Sequence, residues 1–164
     1  MKIRFTRFDS RFGEVLAIAR DDRLSGLYFV GQKDQPPIDA LQRDGAERDD
    51  DWPALACARQ QLGEYERGER REFDLPLDLV GTEFQRRVWH ELLQIPFGRT
   101  SSYAEVARRT GSPRAVRAVG GAIGRNPVSV IVPCHRVLGS NGSLTGYTGG
   151  LHRKQDLLRL EGIL

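Results

Sequence analysis

Apolar and polar positions alternate over the first thirty residues. Ile3, Phe5 and Phe8 sit among polar neighbours, Val15-Leu16-Ala17-Ile18 follows Gly13, and an apolar stretch from Leu24 to Val30 follows Asp21-Asp22. A period near two, punctuated by turn residues, predicts a short antiparallel meander. From Gly31 to Asp51 the chain is polar, aperiodic and carries Pro36-Pro37, which predicts a mobile surface connection. The period then becomes helical. Pro53 opens a segment with Leu55, Ala58, Leu62 and Tyr65 on one face, and Gly68 ends it. This helix is expected to cover the sheet, with Cys57 beside its buried face, and Phe73, Leu75 and Leu77 predict one more strand.

Composition shifts at Gly81-Thr82, where a helix containing Phe84, Val88, Trp89, Leu92 and Leu93 begins. The expected division is therefore a lobe over 1–80 and a second over 81–164. Ser102-Tyr103-Ala104-Glu105 has the spacing of a capping box and predicts a short helix ending at Gly111. Ser112-Pro113 predicts another helix at once, Ser112 as cap and Pro113 in the first turn, so that the pair reads as a helix-turn-helix. Val128 to Val132 predicts a buried strand running into Pro133-Cys134-His135-Arg136-Val137. The fold class is α+β, a small antiparallel sheet with a covering helix followed by a mainly helical lobe.

The 164 residues, 39% hydrophobic and 29% charged, suffice for one domain or two small lobes that bury a core. No apolar run approaches the roughly 20 residues of a membrane helix, and Met1-Lys2-Ile3-Arg4 leads into alternation rather than a signal-peptide block. A soluble, cytoplasmic monomer with no membrane contact is expected. Cys57 and Cys134 form no disulfide framework, and His90, His135 and His152 lack metal-ligand spacing, so neither a metal nor a cofactor is expected. Charge is uneven: 13 basic and 17 acidic residues precede position 81, against 12 and 5 from there on. No acidic residue lies between Glu105 and Asp156, an interval holding Arg108, Arg109, Arg114, Arg117, Arg125, Arg136, Arg153 and Lys154. Such a field attracts a polyanion, DNA or RNA first. The glycines of Gly120-Gly121 cost helix stability, about 1 kcal/mol each against alanine, and point to close packing or close approach of a ligand.

Cys134 beside His135 is a candidate nucleophile and base, with Arg136 adding positive potential that favours the thiolate. Adjacent residues in extended chain point apart, so only folding brings imidazole and sulfur together. On these residues alone three readings stand: an inert buried thiol, a cysteine hydrolase, and a DNA-binding module without chemistry.

The sequence resembles the O6-alkylguanine-DNA alkyltransferases. The likeness is carried by Pro-Cys-His-Arg-Val at 133–137, Arg-Ala-Val-Gly-Gly-Ala at 117–122, Arg-Asn-Pro at 125–127, Gly-Tyr-Thr-Gly-Gly at 146–150 and Leu-Leu-Arg-Leu-Glu-Gly at 157–162. It is continuous from about Gly81 to the C-terminus and looser before it, mainly through Gly-Leu-Tyr-Phe at 26–29. The resemblance implies a ribonuclease H-like first lobe and a winged-helix-like second lobe. It implies direct-reversal DNA repair, in which Cys134 irreversibly takes the alkyl group from O6-alkylguanine, with O4-alkylthymine as a second candidate; a lesion-binding helix-turn-helix without transfer is the alternative. By the same resemblance His135 contacts Cys134 through water, Glu161 orients His135, Tyr103 approaches the base, and Asn126 fastens the second helix to the active-site strand. The resemblance further implies that Arg117 replaces a nucleotide flipped out of double-stranded DNA and that the small face of Ala115, Ala118 and Gly121 enters the minor groove. It likewise implies that Tyr147, Thr148 and Gly149 form the loop closing the base pocket and that Ser102 and Val137 complete the contacts; many relatives carry serine where this chain has Thr148.

Overall fold

Three strands form the expected meander. β1 (Ile3–Ser10), β2 (Gly13–Arg20) and β3 (Arg23–Phe29) pair antiparallel, with Phe5 opposite Ile18 and Phe8 opposite Val15. The computed structural model describes all residues from Met1 to Leu164, which divide into two compact units, Met1–Leu79 and Val80–Leu164.

In the first unit the central strand β2 is buried from Val15 to Ala19, because both sheet faces are covered. The helix opened by Pro53 lies against β1, β2 and β3 and buries Leu55, Ala58, Leu62 and Tyr65, as its periodicity predicts. The segment from Gly31 to Asp51 departs from expectation. It is not an unstructured connection: it forms α1 (Ile38–Arg43) and β4 (Glu47–Arg48), and β4 extends the sheet to the order β3-β2-β1-β4 by pairing parallel with β1. The reason is tertiary. Ile38, Leu41 and Ala46 cover Phe5, Leu16 and Ile18, and three apolar residues scattered among polar ones carry no readable period. The long helix, α2, spans Pro53–Glu66. Phe73 to Leu77 is likewise not a strand but makes one bridge, Leu24 to Leu77; Pro76 lacks the N–H a ladder needs and contributes its carbonyl to Leu24 N at 3.0 Å.

In the second unit, α3 (Glu83–Leu92) starts with a full capping box between Thr82 and Gln85 and buries Val88, Trp89 and Leu92. A two-stranded parallel ribbon joins β5 (Ser101–Ser102) to β6 (Val137–Leu138). Between these strands α4 (Tyr103–Arg109) and α5 (Val116–Gly124) form the helix-turn-helix pair, and α6 (Leu151–Leu160) follows β6. Trp89 Nε1 donates to Ala122 O at 2.8 Å and locks α5 to α3.

Two local expectations fail here. The second helix starts at Val116 rather than at Pro113, with Ala115 at its N-cap and no side-chain cap. Ser112 is committed to the preceding helix: its N–H reaches Ala107 O and that of Gly111 reaches Arg108 O, the paired bonds of a Schellman ending, with Gly111 at φ +79°. Val128 to Val132 is buried but is not a strand. Val132 N bonds Val128 O at 3.0 Å, Ile131 N bonds Ser129 O at 2.8 Å, and Val130 adopts φ +71°. Cys134 accordingly opens a single 3-10 turn, Cys134–Arg136, rather than ending a strand. No helix is long and apolar enough to cross a membrane.

Candidate active site

The thiol of Cys134 is held by the end of α5. Asn126, just past that helix, is buried and donates through Nδ2 to Val132 O at 2.8 Å and to Cys134 Sγ at 3.2 Å, while its Oδ1 accepts from Val128 N at 2.9 Å. One amide thus closes the turn that carries the cysteine and also contacts its sulfur. Cys134 is 8% exposed and lines a cavity of about 140 Å³, together with Tyr103, Ile123, Asn126, Ser129 and Thr148. Burial pushes the thiol up; the Asn126 hydrogen bond and the charge of Lys154 pull the other way without overcoming it.

Behind the cysteine lies a buried charge cluster. His135 Nε2 and Glu161 Oε2 are 2.7 Å apart, both side chains fully enclosed. Arg136 donates to both oxygens of the same carboxylate, at 2.8 and 3.0 Å, and to Ile95 O at 2.7 Å; Gly98 N adds a bond to Glu161 at 3.1 Å. Burial acts to raise the Glu161 carboxyl, but the hydrogen bonds and charges of His135 and Arg136 hold it at about 2. Burial lowers the His135 imidazolium more than Glu161 raises it, so the ring is neutral near pH 7. An ionised Glu161 accepts only, which assigns the ring proton to Nε2. Nδ1 then carries a lone pair, and it is buried with no protein partner.

Arg136 does not act on Cys134 as expected, because its guanidinium is committed to Glu161. The cation acting on the thiol is Lys154, which sequence reasoning counted only as part of a basic field. Its side chain is enclosed: Nζ donates to Val137 O at 2.6 Å and Thr145 O at 2.9 Å, and lies 6.0 Å from the Tyr103 ring centre. Burial lowers this ammonium to about 8. A sequence signal existed, since Lys154 stands three and four positions before the buried Leu157 and Leu158, on the apolar face of α6. Tyr103 also reaches Thr145 O, at 3.0 Å, and burial raises its phenol.

Tyr147, Thr148 and Gly149 line the cavity, and Thr148 Oγ1 donates to Gly124 O at 2.6 Å, tying this loop to α5. Ser102 and Val137 lie elsewhere. Ser102 caps α4 by accepting from Glu105 N at 3.1 Å, and Val137 is wholly buried with its carbonyl taken by Lys154. Ser129, which sequence reasoning treated only as part of a strand, lines the cavity.

The outer face of α5 presents Val116, Arg117, Ala118 and Gly121 to solvent, flanked by exposed Arg114 and Arg125, while Ala115 is half-buried. A side chain at Gly121 would meet nothing within 4 Å, and one at Gly120 would make only ordinary contact with Tyr103. Internal packing therefore does not require the glycine pair. The basic field is narrower than the sequence suggests. Arg108 and Arg109 are bound to Glu105, Arg136 and Lys154 are buried, and Arg153 donates to Gly149 O. Arg114, Arg117 and Arg125 remain, exposed and without protein partners.

Residues 3–79 match the ribonuclease-like domain of 6-O-methylguanine DNA methyltransferase, and residues 83–163 match its DNA binding domain. The chain belongs to this family. A methylated-DNA–protein-cysteine methyltransferase of Mycolicibacterium paratuberculosis is 49% identical over 159 residues, 97% of this chain and 92% of the relative. The constitutive methyltransferase of Bacillus subtilis is 44% identical over 160 residues, 97% of this chain and 95% of the relative. Among solved structures, Mycobacterium tuberculosis OGT in complex with DNA has a TM-score of 0.85 at 44% identity, covering 98% of this chain and 92% of that one. Within this methyltransferase fold, Cys134, His135, Glu161, Asn126 and Tyr103 converge on one region of the second unit, and Arg117 stands on the exposed face of the helix that Asn126 terminates.

Proposed function

We propose that this chain repairs DNA by direct reversal, taking the alkyl group of O6-alkylguanine onto Cys134 in a single irreversible turnover, without metal or cofactor. The observation that carries this reading is the cavity-lining sulfur of Cys134 beside a neutral His135 whose Nδ1 is buried and unpartnered. Nδ1 accepts the thiol proton through one water, and Arg136-bound Glu161 stabilises the imidazolium that forms. The sulfur attacks the alkyl carbon in line; the S–C bond forms as the C–O6 bond breaks, and the electron pair passes to the purine. Tyr103 assists by turning its hydroxyl from Thr145 O to donate to the base at N3, and Lys154 beside it favours negative charge there. The net proton transfer is from thiol to guanine, which leaves neutral. A backbone N–H of the loop at Tyr147, Thr148 and Gly149 meets O6.

Access requires the nucleotide to leave the duplex, at a cost of a few kcal/mol. The exposed small face of α5 enters the minor groove, and Arg117 fills the vacated stack. Residues 1–80 serve as the supporting lobe and residues 81–164 as the DNA-binding and acceptor lobe of a cytoplasmic monomer; O4-alkylthymine is a further substrate. The test is a duplex containing O6-methylguanine, followed by mass mapping of the Cys134 peptide. One methyl group per chain is expected, with none after Cys134→Ser. Repeated turnover, or methylation elsewhere in the chain, would overturn the proposal.

A further inference from the structure

We propose that the Ser129 hydroxyl selects among alkyl groups, favouring substituents whose second carbon carries a hydrogen-bonding atom over hydrocarbon chains of equal length. This rests on the alkyl-transfer reading above and extends it to substrate range. Ser129 lines the same cavity as Cys134, is 4% exposed, and its hydroxyl makes no hydrogen bond within the protein. Three other polar side chains of that lining are committed internally: Tyr103 to Thr145 O, Asn126 to Val132 O and Cys134 Sγ, and Thr148 to Gly124 O.

A hydroxyl that lines a cavity and makes no bond within the protein keeps its donor and acceptor for whatever enters the cavity. The surrounding backbone adds to the case. Val130, the next residue, is β-branched and holds φ +71°, a conformation such side chains rarely adopt. The bonds from Val132 N to Val128 O, from Ile131 N to Ser129 O and from Val128 N to Asn126 Oδ1 impose this turn and fix where Ser129 stands. Attack places the first alkyl carbon at Sγ, so atoms beyond it must occupy the rest of a small cavity. Ile123 offers them only hydrocarbon. Ser129 offers a donor and an acceptor, which a hydroxyalkyl or carboxyalkyl tail satisfies and an alkane tail leaves buried and unpaired.

The decisive comparison uses three duplexes, carrying O6-methyl-, O6-(2-hydroxyethyl)- and O6-n-propylguanine, the last two having equal numbers of heavy atoms. Single-turnover rate constants are measured on the full chain. We expect the hydroxyethyl adduct to react at least about five times faster than the propyl adduct, as one net hydrogen bond implies. Ser129→Ala should bring that ratio to within about twofold of unity, whereas Ser129→Thr, which keeps the hydroxyl, should preserve the preference while slowing both longer adducts. A wild-type ratio at or below one, or an unchanged ratio in Ser129→Ala, overturns the assignment. Should Ser129→Ala not fold, Ser129→Gly and Ser129→Thr supply the same contrast. Absence of transfer from all three duplexes in the wild type would sink the alkyl-transfer reading instead, so the two failures are distinguishable.

Discussion

At the scale of single residues, the site is organised around one carboxylate. Glu161 receives His135, both nitrogens of the Arg136 fork and Gly98 N. Removing its charge leaves Arg136 buried without a counter-ion, a change that costs about 3–5 kcal/mol in comparable sites. Glu161→Gln is therefore expected to lower stability by that order in denaturant unfolding and to slow methyl transfer about a hundredfold, because the imidazolium of His135 loses its partner. The carboxyl, at about 2 in the folded chain, lies below its ordinary value of 4.5. Its stabilising contribution is complete above pH 4.5 and is lost as pH falls from there through about 2. Acid titration of the unfolding free energy should show this loss in the wild type and a flatter acid limb in Glu161→Gln. Equal acid limbs would refute the role given to the carboxylate.

At the scale of elements, α5 separates two demands that usually coincide. Its inner face is tied to α3 through Trp89 and to the active site through Asn126, whereas Gly121 on its outer face touches nothing. A helix interior glycine costs about 1 kcal/mol against good helix formers. Gly121→Leu should therefore melt at an equal or higher temperature than the wild type yet bind duplex DNA at least about tenfold more weakly, because in the proposed docking its bulk stands where the groove approaches. Retained DNA affinity in this variant would remove α5 from the interface.

Over the whole molecule, net charge is a poor guide to binding strength. Eight basic residues fall in the stretch without acidic residues, but only Arg114, Arg117 and Arg125 are both exposed and unpaired. Neutralising about three phosphates gives a slope near −3 for the logarithm of the binding constant against that of salt concentration, where eight contacts would give about −7. Equilibrium titrations on undamaged duplex between low and physiological salt distinguish these values.

Local chemistry was legible in the residues. Period-two and helical patterns marked the meander, α2 and α3, because these elements bury one face over many residues and must repeat it in sequence. The Pro-Cys-His-Arg motif and the C-terminal Glu161 marked the reactive cluster through family resemblance. Short pieces were not legible. α1, β4 and the late start of α5 depend on what Phe5, Leu16 and the end of α4 present to them. Tertiary structure alone decided that Val128 to Val132 turns rather than extends, that Arg136 serves Glu161 instead of Cys134, and that Ser129 faces the site. A sequence records which charges and hydroxyls are present; which of them meet is settled by the mutual burial of distant segments, where each polar group must be matched by whatever partner packing brings within reach.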